Sequence, residues 1–507
     1  MADPFRKMQK IWPIFRWANW WLSDDLFTGI KNSFYFSNDM EIRQDAKSIF
    51  PSPRPAYSTS EWADLWTWEN YNHSVKCTTY SSQDGWWVVC TDRYIYLVTN
   101  AWVVSSLCTM SETICDMEIF GGYIYISTTD HLYYKKDNGG NWGDMASSTD
   151  ASVTNYWRCA DALQNNWTHP LYASDVLLCV WDENKLRKVT KEMPNLLQDW
   201  IELQEWWYIR FINELWGFIR AVAVDEPYGS EILLCDKAWV DDVAQEIIPL
   251  EWYSIIWSAI YGGYHYLLSN KWLGLLNWYQ YYLLKKVEWD VDTTTRNCMC
   301  VYDDKLFLVA NKWIYIYWAK NKNYSDVLWL WHQVEDWYKL WAIGAYKWGI
   351  MITRDYKYFS GWNDPIRVWV NTWVATTWEV QTMCYFWTSM SEIKQSMYLR
   401  VWYHIPKKTV WGAEKTWILK IYYRTEADAI DNEPDNWAWH ELTPNWWLKE
   451  SSDMRSPFAT TFKLNCRFQW IQFKFVLENC TRTEWGTKYS LDTNLYSADL
   501  YYNTMLD

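Results

Sequence analysis

This chain of 507 residues is short of glycine, of basic charge, of long apolar runs and of closely spaced metal ligands. Lys and Arg number 47 against 61 Asp and Glu, a formal net charge of −14. No phosphate-neutralising surface follows from that balance, so general nucleic-acid binding is not expected. No apolar run reaches the ~18 residues of a membrane span, and the opening Met1-Ala-Asp-Pro-Phe-Arg-Lys-Met8 lacks the apolar stretch of a secretory signal. The expectation is a soluble product that is not exported by that route. The histidines, at 73, 131, 169, 265, 332, 404 and 440, form no pair at metal-ligand spacing. Among the 12 cysteines the one close pair, Cys298-Met-Cys300, is too tight for a zinc knuckle. Cys90, Cys179 and Cys235 lie inside apolar runs and read as small core hydrophobes of a reducing compartment. No Gly-rich run leads into Lys-Ser/Thr, and no nucleophile, base and oxyanion donor come together. Neither a cofactor, a metal nor a catalytic residue is expected.

The shortage of glycine has a counterpart. There are 17 Gly and 45 Trp, whereas glycine averages about 7% of residues. Trp-Trp pairs stand at Trp20-Trp21, Trp86-Trp87, Trp206-Trp207 and Trp446-Trp447, and Trp adjoins Gly at Gly85-Trp86, Trp216-Gly217, Trp348-Gly349, Gly361-Trp362, Trp411-Gly412 and Trp485-Gly486. Gly-Gly pairs occupy comparable places at 121–122, 139–140 and 262–263. Other tryptophans follow Asn or Asp, as at Asn19-Trp20, Asn277-Trp278, Asp336-Trp337, Asn436-Trp437 and Asn445-Trp446. Asn-Gly and Asp-Gly are hairpin signals because the turn needs φ > 0, where Trp costs about 1–2 kcal/mol. The pattern resembles that of genes from uncultivated bacteria and their viruses, in which UGA is read as glycine while another translation table gives Trp. Replacing every Trp raises glycine from 17 to 62 and cuts the aromatics from 100 to 55. This reading expects most tryptophans exposed at turns, often with φ > 0. Trp142, Trp331 and Trp439, which follow polar turn segments, are expected to be genuine.

With Trp read as Gly, a repeat emerges: a turn, an apolar run, a second turn and another apolar run. Copies begin at Asp84, Gly121, Ser174, Tyr228, Gly262, Asp303 and Tyr346, the fourth being the weakest. The fifth and sixth share Asn-Lys-Trp, at 270–272 and 311–313. Propeller blades repeat at ~40–50 residues, and each copy reads as two hairpin strands. Residues 61–362 are therefore expected to form a six- or seven-bladed β-propeller. Residues 1–60, with Pro51-Ser-Pro-Arg-Pro55, read as an extended arm and stiff linker. Residues 363–507 carry longer strands and read as a β-sandwich. In Phe468-Gln-Trp-Ile-Gln-Phe-Lys-Phe-Val-Leu477, Ile471, Phe473, Phe475 and Leu477 share one face, while Gln472 and Lys474 share the other. The acidic run from Glu426 to Asp435 could supply Ca²⁺ ligands but lacks their regular spacing, so a solvated loop is the expectation.

Two resemblances complete the reading. Lys135-Lys-Asp137-Asn-Gly139-Gly-Asn-Trp142 resembles the Asp-box of sialidase-like propellers, with Lys135 in place of the usual Ser. There Asp137, Gly139 and Trp142 would have a folding role. The order of arm, propeller and sandwich resembles that of bacteriophage tail or virion structural proteins. The residues concerned are Trp20-Trp21-Leu-Ser-Asp-Asp-Leu-Phe-Thr-Gly29 leading to Phe34-Tyr-Phe-Ser-Asn-Asp-Met-Glu-Ile-Arg43, then Leu419-Lys-Ile-Tyr-Tyr-Arg-Thr425 with Trp439-His-Glu-Leu442, and Arg467-Phe-Gln-Trp-Ile-Gln-Phe-Lys-Phe475. The resemblance implies a non-enzymatic, oligomeric component of ring, adaptor or nozzle type. It would be assembled in the host cytoplasm and docked on portal, adaptor or tail subunits. The rival readings are a glycan- or protein-binding propeller of a host bacterium and a sialidase-like glycosidase.

Overall fold

The computed structural model describes residues 10–15, 34–38, 40–42, 49–51, 53–54, 62–65, 74–79, 87–91, 94–98, 104–136, 158–164, 169–182, 184–202, 208–225, 229–236, 246–251, 254–270, 272–277, 280–286, 297–319, 327–333, 338–346, 349–356, 366–370, 373–374, 377–382, 384–385, 393–404, 409–410, 413–414, 418–429, 436–442, 458–478, 481–484, 487–490 and 494–504. Among them every regular element is a β-strand except one turn of 3₁₀ helix, Glu426–Asp428. The chain forms two units: Met1–Arg54 with Ile314–Gln333 and Thr372–Asp507, and Pro55–Trp313 with Val334–Asn371.

The second unit holds a closed ring. Seven strands, Ser74–Thr79, Ile114–Phe120, Leu171–Ala173, Tyr208–Leu215, Ile255–Tyr261, Met299–Tyr302 and Tyr338–Tyr346, lie beside one another in that order, and the last returns to the first. Each is the first strand of a four-stranded antiparallel sheet, which gives seven blades, numbered here in that order; residues 314–333, in the outer strands of blade 6, are grouped with the first unit. The fourth strand of blade 7 is Trp62–Leu65, which pairs with Ile366–Val370. A segment that precedes blade 1 thus completes blade 7 and closes the ring. The sheets run to Val370, a little beyond the expected end at 362.

Blade strands are apolar on both faces because each blade packs between two neighbours. In Leu177–Asp182 every residue is buried. In Phe218–Asp225 the alternation divides the side chains between two cores. Ile219, Ala221 and Ala223 join Leu177, Cys179 and Trp181 of blade 3, whereas Val222 and Val224 join Ile255, Leu267 and Leu276 of blade 5. Fully burying one such Ile, Leu or Val contributes about 1.5–3 kcal/mol.

The first unit contains a seven-stranded and a five-stranded sheet. The larger is ordered Met40–Ile42, Ile49–Pro51, Asn494–Thr504, Lys394–His404 and Phe458–Lys463, with Lys10–Phe15 on Asn494–Thr504 and Arg467–Phe468 on Lys394–His404. The smaller is ordered Phe34–Asn38, Thr377–Thr382, Ile471–Glu478, Ile418–Thr425 and His440–Leu442. The described strands of segment 1–60 are therefore parts of sheets, not of an extended arm. These short runs, too apolar-poor for a core of their own, add strands to sheets whose core lies elsewhere in the sequence. A second correction concerns Gln472, expected on an outer face but fully buried. It accepts from Arg424 Nε at 2.6 Å and donates to the Thr382 carbonyl at 2.6 Å.

Candidate functional site

The features that set one blade apart from the next gather where its first strand turns into its second. Leu215 pairs with Phe218, Phe120 with Tyr123, Tyr261 with Tyr264 and Tyr302 with Lys305, which makes each of these turns two residues long. Gly121 and Gly122 have φ of 58° and 79°, Gly262 and Gly263 57° and 80°, and Trp216 and Gly217 54° and 82°. Asp303 and Asp304 fill the turn of blade 6 at 48° and 54°. These are type I′ turns, in which both residues need φ > 0. Asn and Asp visit that region at modest cost, but a bulky residue there is an outlier. Trp216 is the one residue other than Gly, Asn or Asp with φ > 0 among the described residues.

Behind the Trp216 turn, the seam between blades 4 and 5 carries charge. Arg220 occupies, in blade 4, the place held by Tyr125 in blade 2 and Tyr266 in blade 5, three residues beyond the turn. Its side chain is 2% exposed, and its Nε and Nη1 have no hydrogen-bond partner. The Trp216 ring lies over the guanidinium, 5.7 Å away, and is itself 48% exposed. Across the seam His265 stands where blade 2 has Ile124 and blade 4 Ile219. It is fully buried with neither ring nitrogen hydrogen-bonded. Burial, then the Arg220 charge, lowers its pKa to about 3. Burial also lowers that of Arg220. Sequence reasoning missed this pair, though a signal existed: Phe-Ile-Arg-Ala-Val puts a cation where sister blades read Tyr-Ile-Tyr-Ile-Ser or Tyr-His-Tyr-Leu-Leu.

Other charged clusters serve the architecture. Arg187 of blade 3 contacts Asp182 and Asp161 at 2.8 Å each and Asp199 at 3.0 Å, tying blade 3 to the outer strand of blade 2. The Lys185 ammonium holds the Asp199 carboxyl below its usual range. Asp116 accepts from the N–H of Met117 at 2.8 Å and of Leu171 at 2.9 Å, joining blades 2 and 3. Glu112 lies 2.8 Å from His131 Nδ1 and accepts from the Tyr133 hydroxyl at 3.0 Å. Burial, reinforced by Glu112, pushes the Tyr133 hydroxyl up, and burial also raises the neighbouring Cys159 thiol, so these groups hold their protons. In the acidic run, Glu426 accepts from the N–H of Gln469 and Trp470, and Asp428 accepts from Thr425 N–H and lies 2.6 Å from His440 Nε2. Among the described residues no group of three or more His, Cys, Asp or Glu is placed to hold a metal.

The Asp-box-like residues Asp137, Gly139 and Trp142 lie outside the described residues, as do Trp20-Trp21, Trp206-Trp207 and Trp446-Trp447. Where tryptophans are described, the expectation of exposure at turns is met at Trp216 alone. Trp181, Trp200, Trp313, Trp331, Trp341, Trp378, Trp437 and Trp470 are buried. Trp437, which follows Asn436, packs against Trp470 with the rings tilted and their centroids 5.4 Å apart. Two-sided packing explains Trp181 and Trp313, which lie in middle strands of blades 3 and 6, where apolar space on both faces lets an indole at either alternation fit a core. Of those expected to be genuine, Trp331 is 2% exposed, and Trp439 lies 4.2 Å from the Arg424 guanidinium.

Seven blades closed by a preceding strand define a β-propeller, and the chain also contains a second all-β unit. No known family matches the sequence, and no curated protein does. Among solved structures the chain is similar to a streptogramin B lyase, at 9% identity and a TM-score of 0.42, over 57% of this chain and 93% of that one. It is similar to virginiamycin B lyase from Staphylococcus aureus at 8% identity and 0.42, over 61% and 98%. PorZ, a surface component of the type-IX secretion system of Porphyromonas gingivalis, matches at 10% and 0.39, over 66% and 44%. The blade count rests on the strand pairing of this chain.

Proposed function

We propose that this chain is a non-enzymatic structural component of a bacteriophage virion or tail, of ring, adaptor or nozzle type. It acts through contacts with portal, adaptor or tail subunits and with copies of itself, and is assembled in the host cytoplasm. The observation that carries this reading is the way both units are closed. Trp62–Leu65 completes the blade begun by Tyr338–Tyr346, and Lys10–Phe15 pairs with Asn494–Thr504. Pairing between such distant segments means that neither unit can be peeled apart locally, which suits a part under mechanical load. The order of the sequence resemblance and the use of Arg187, Asp116, Glu426 and Asp428 to hold loops and blades together support the same reading.

The glycine reading of Trp belongs to this proposal position by position. It is strongest at 216 and extends to 348, which precedes Gly349 in the sequence and lies outside the described residues. Trp331 and Trp378 are core residues in this account.

The test is the state of the purified chain with glycine at 216 and 348. Light scattering after size exclusion is expected to show a defined oligomer. A monomer at every concentration, together with specific binding on a glycan array, would overturn the structural role in favour of a glycan-binding propeller.

A further inference from the structure

A buried guanidinium without a partner is costly, because desolvation of the ion is left uncompensated. Arg220 is in that position, on the strand face that joins an apolar core including Val222, Leu267 and Leu276. Asp236, opposite Phe218 on the same blade face, supplies no partner to Nε or Nη1. Across the seam, the uncharged His265 ring also has an unused N–H. The Trp216 indole lies over Arg220, held there by a backbone conformation that suits glycine. With glycine at 216, as in the sister turns, that cover is gone. What is left behind the turn is a cation with two free N–H donors and a nearby imidazole N–H, beside an apolar core. Such a set of donors suits a small oxyanion, which a guanidinium binds in a bidentate manner.

The geometry points to an oxyanion site between blades 4 and 5, with Arg220 as its principal donor, His265 behind it and residue 216 as its cover. The site takes a phosphate or carboxylate group. This inference rests on the glycine reading at 216 and is independent of the virion role.

Calorimetric titration with inorganic phosphate, and separately with acetate, tests it at constant ionic strength. The Trp216→Gly chain is expected to bind one anion, and the two titrations tell which oxyanion is preferred. Binding is expected to weaken at least tenfold in Trp216→Gly/Arg220→Met and in the parent chain, where the indole covers the site. Trp216→Asn, whose new residue also tolerates φ > 0, repeats the test should the glycine variant fold poorly. No binding of either anion by the opened variants, or equal binding after Arg220→Met, overturns the assignment.

Discussion

Trp216 holds the backbone conformation of Gly262, with φ of 54° against 57°, in the equivalent turn of the adjacent blade. An L-residue in that region is strained by roughly 1–2 kcal/mol, while glycine is not. Trp216→Gly is therefore expected to stabilise the propeller by about 1 kcal/mol, since the greater chain entropy of glycine offsets part of the gain. The reverse change, Gly262→Trp, is expected to destabilise it by a similar amount. Urea unfolding of both variants measures this. A loss of stability in Trp216→Gly contradicts the reading.

Trp378 behaves in the opposite way. It is 1% exposed in Thr377–Thr382, and its Nε1 has no hydrogen-bond partner. A buried unsatisfied N–H costs about 1–3 kcal/mol, but the indole fills the core. Trp378→Phe is expected to lie within about 1 kcal/mol of the parent, whereas Trp378→Gly leaves a cavity and is expected to cost about 3–5 kcal/mol. Should Trp378→Gly prove neutral, this tryptophan is no core residue.

His265 gives the fold a pH dependence. Its folded-state pKa of about 3 lies below the ordinary 6.5, chiefly through burial and then through Arg220. The unfolded chain therefore takes up the proton first. This contribution to stability is intact above pH 6.5 and declines as pH falls toward 3, with a slope of up to about 1.4 kcal/mol per pH unit. His265→Leu is expected to remove that slope. Parallel acid titrations of the parent and the variant, followed by near-UV circular dichroism, isolate the difference.

Gly274 serves packing. A Cβ there would lie 2.3 Å from the ring of Tyr281, which covers this position from the neighbouring strand. Gly274→Ala is expected to cost about 1–3 kcal/mol. Adding Tyr281→Ala should recover much of that loss, giving a coupling energy that a double-mutant cycle can read. Additive effects of the two changes would show that the ring does not rest on the glycine.

Six of the seven sequence copies coincide with the turn into, or the body of, the second strand of a blade. The shared Asn-Lys-Trp at 270–272 and 311–313 falls in the same hairpin of blades 5 and 6, where Asn311 has φ of 51°. The fourth copy slipped. Tyr228 to Val240 covers the third strand, Gly229–Asp236, whereas the equivalent turn is Trp216-Gly217. The Trp letter at 216 concealed a turn that Gly-Gly marks elsewhere. The strands within residues 1–60 are hidden in the sequence for another reason: a strand that completes a distant sheet needs little apolar content of its own, and its partners cannot be seen locally. The Arg220 and His265 pair was hidden because a polar residue within a strand shows its cost only when the facing blade is known.

The most direct test is tandem mass spectrometry of tryptic peptides from purified phage particles. Cleavage after Arg210 and Arg220 releases Phe211-Ile-Asn-Glu-Leu-Trp-Gly-Phe-Ile-Arg220. This account predicts that the peptide is recovered from the particles with glycine at position 216. A peptide with tryptophan at 216 would contradict the glycine reading, and absence of the chain from the particles would contradict the structural role.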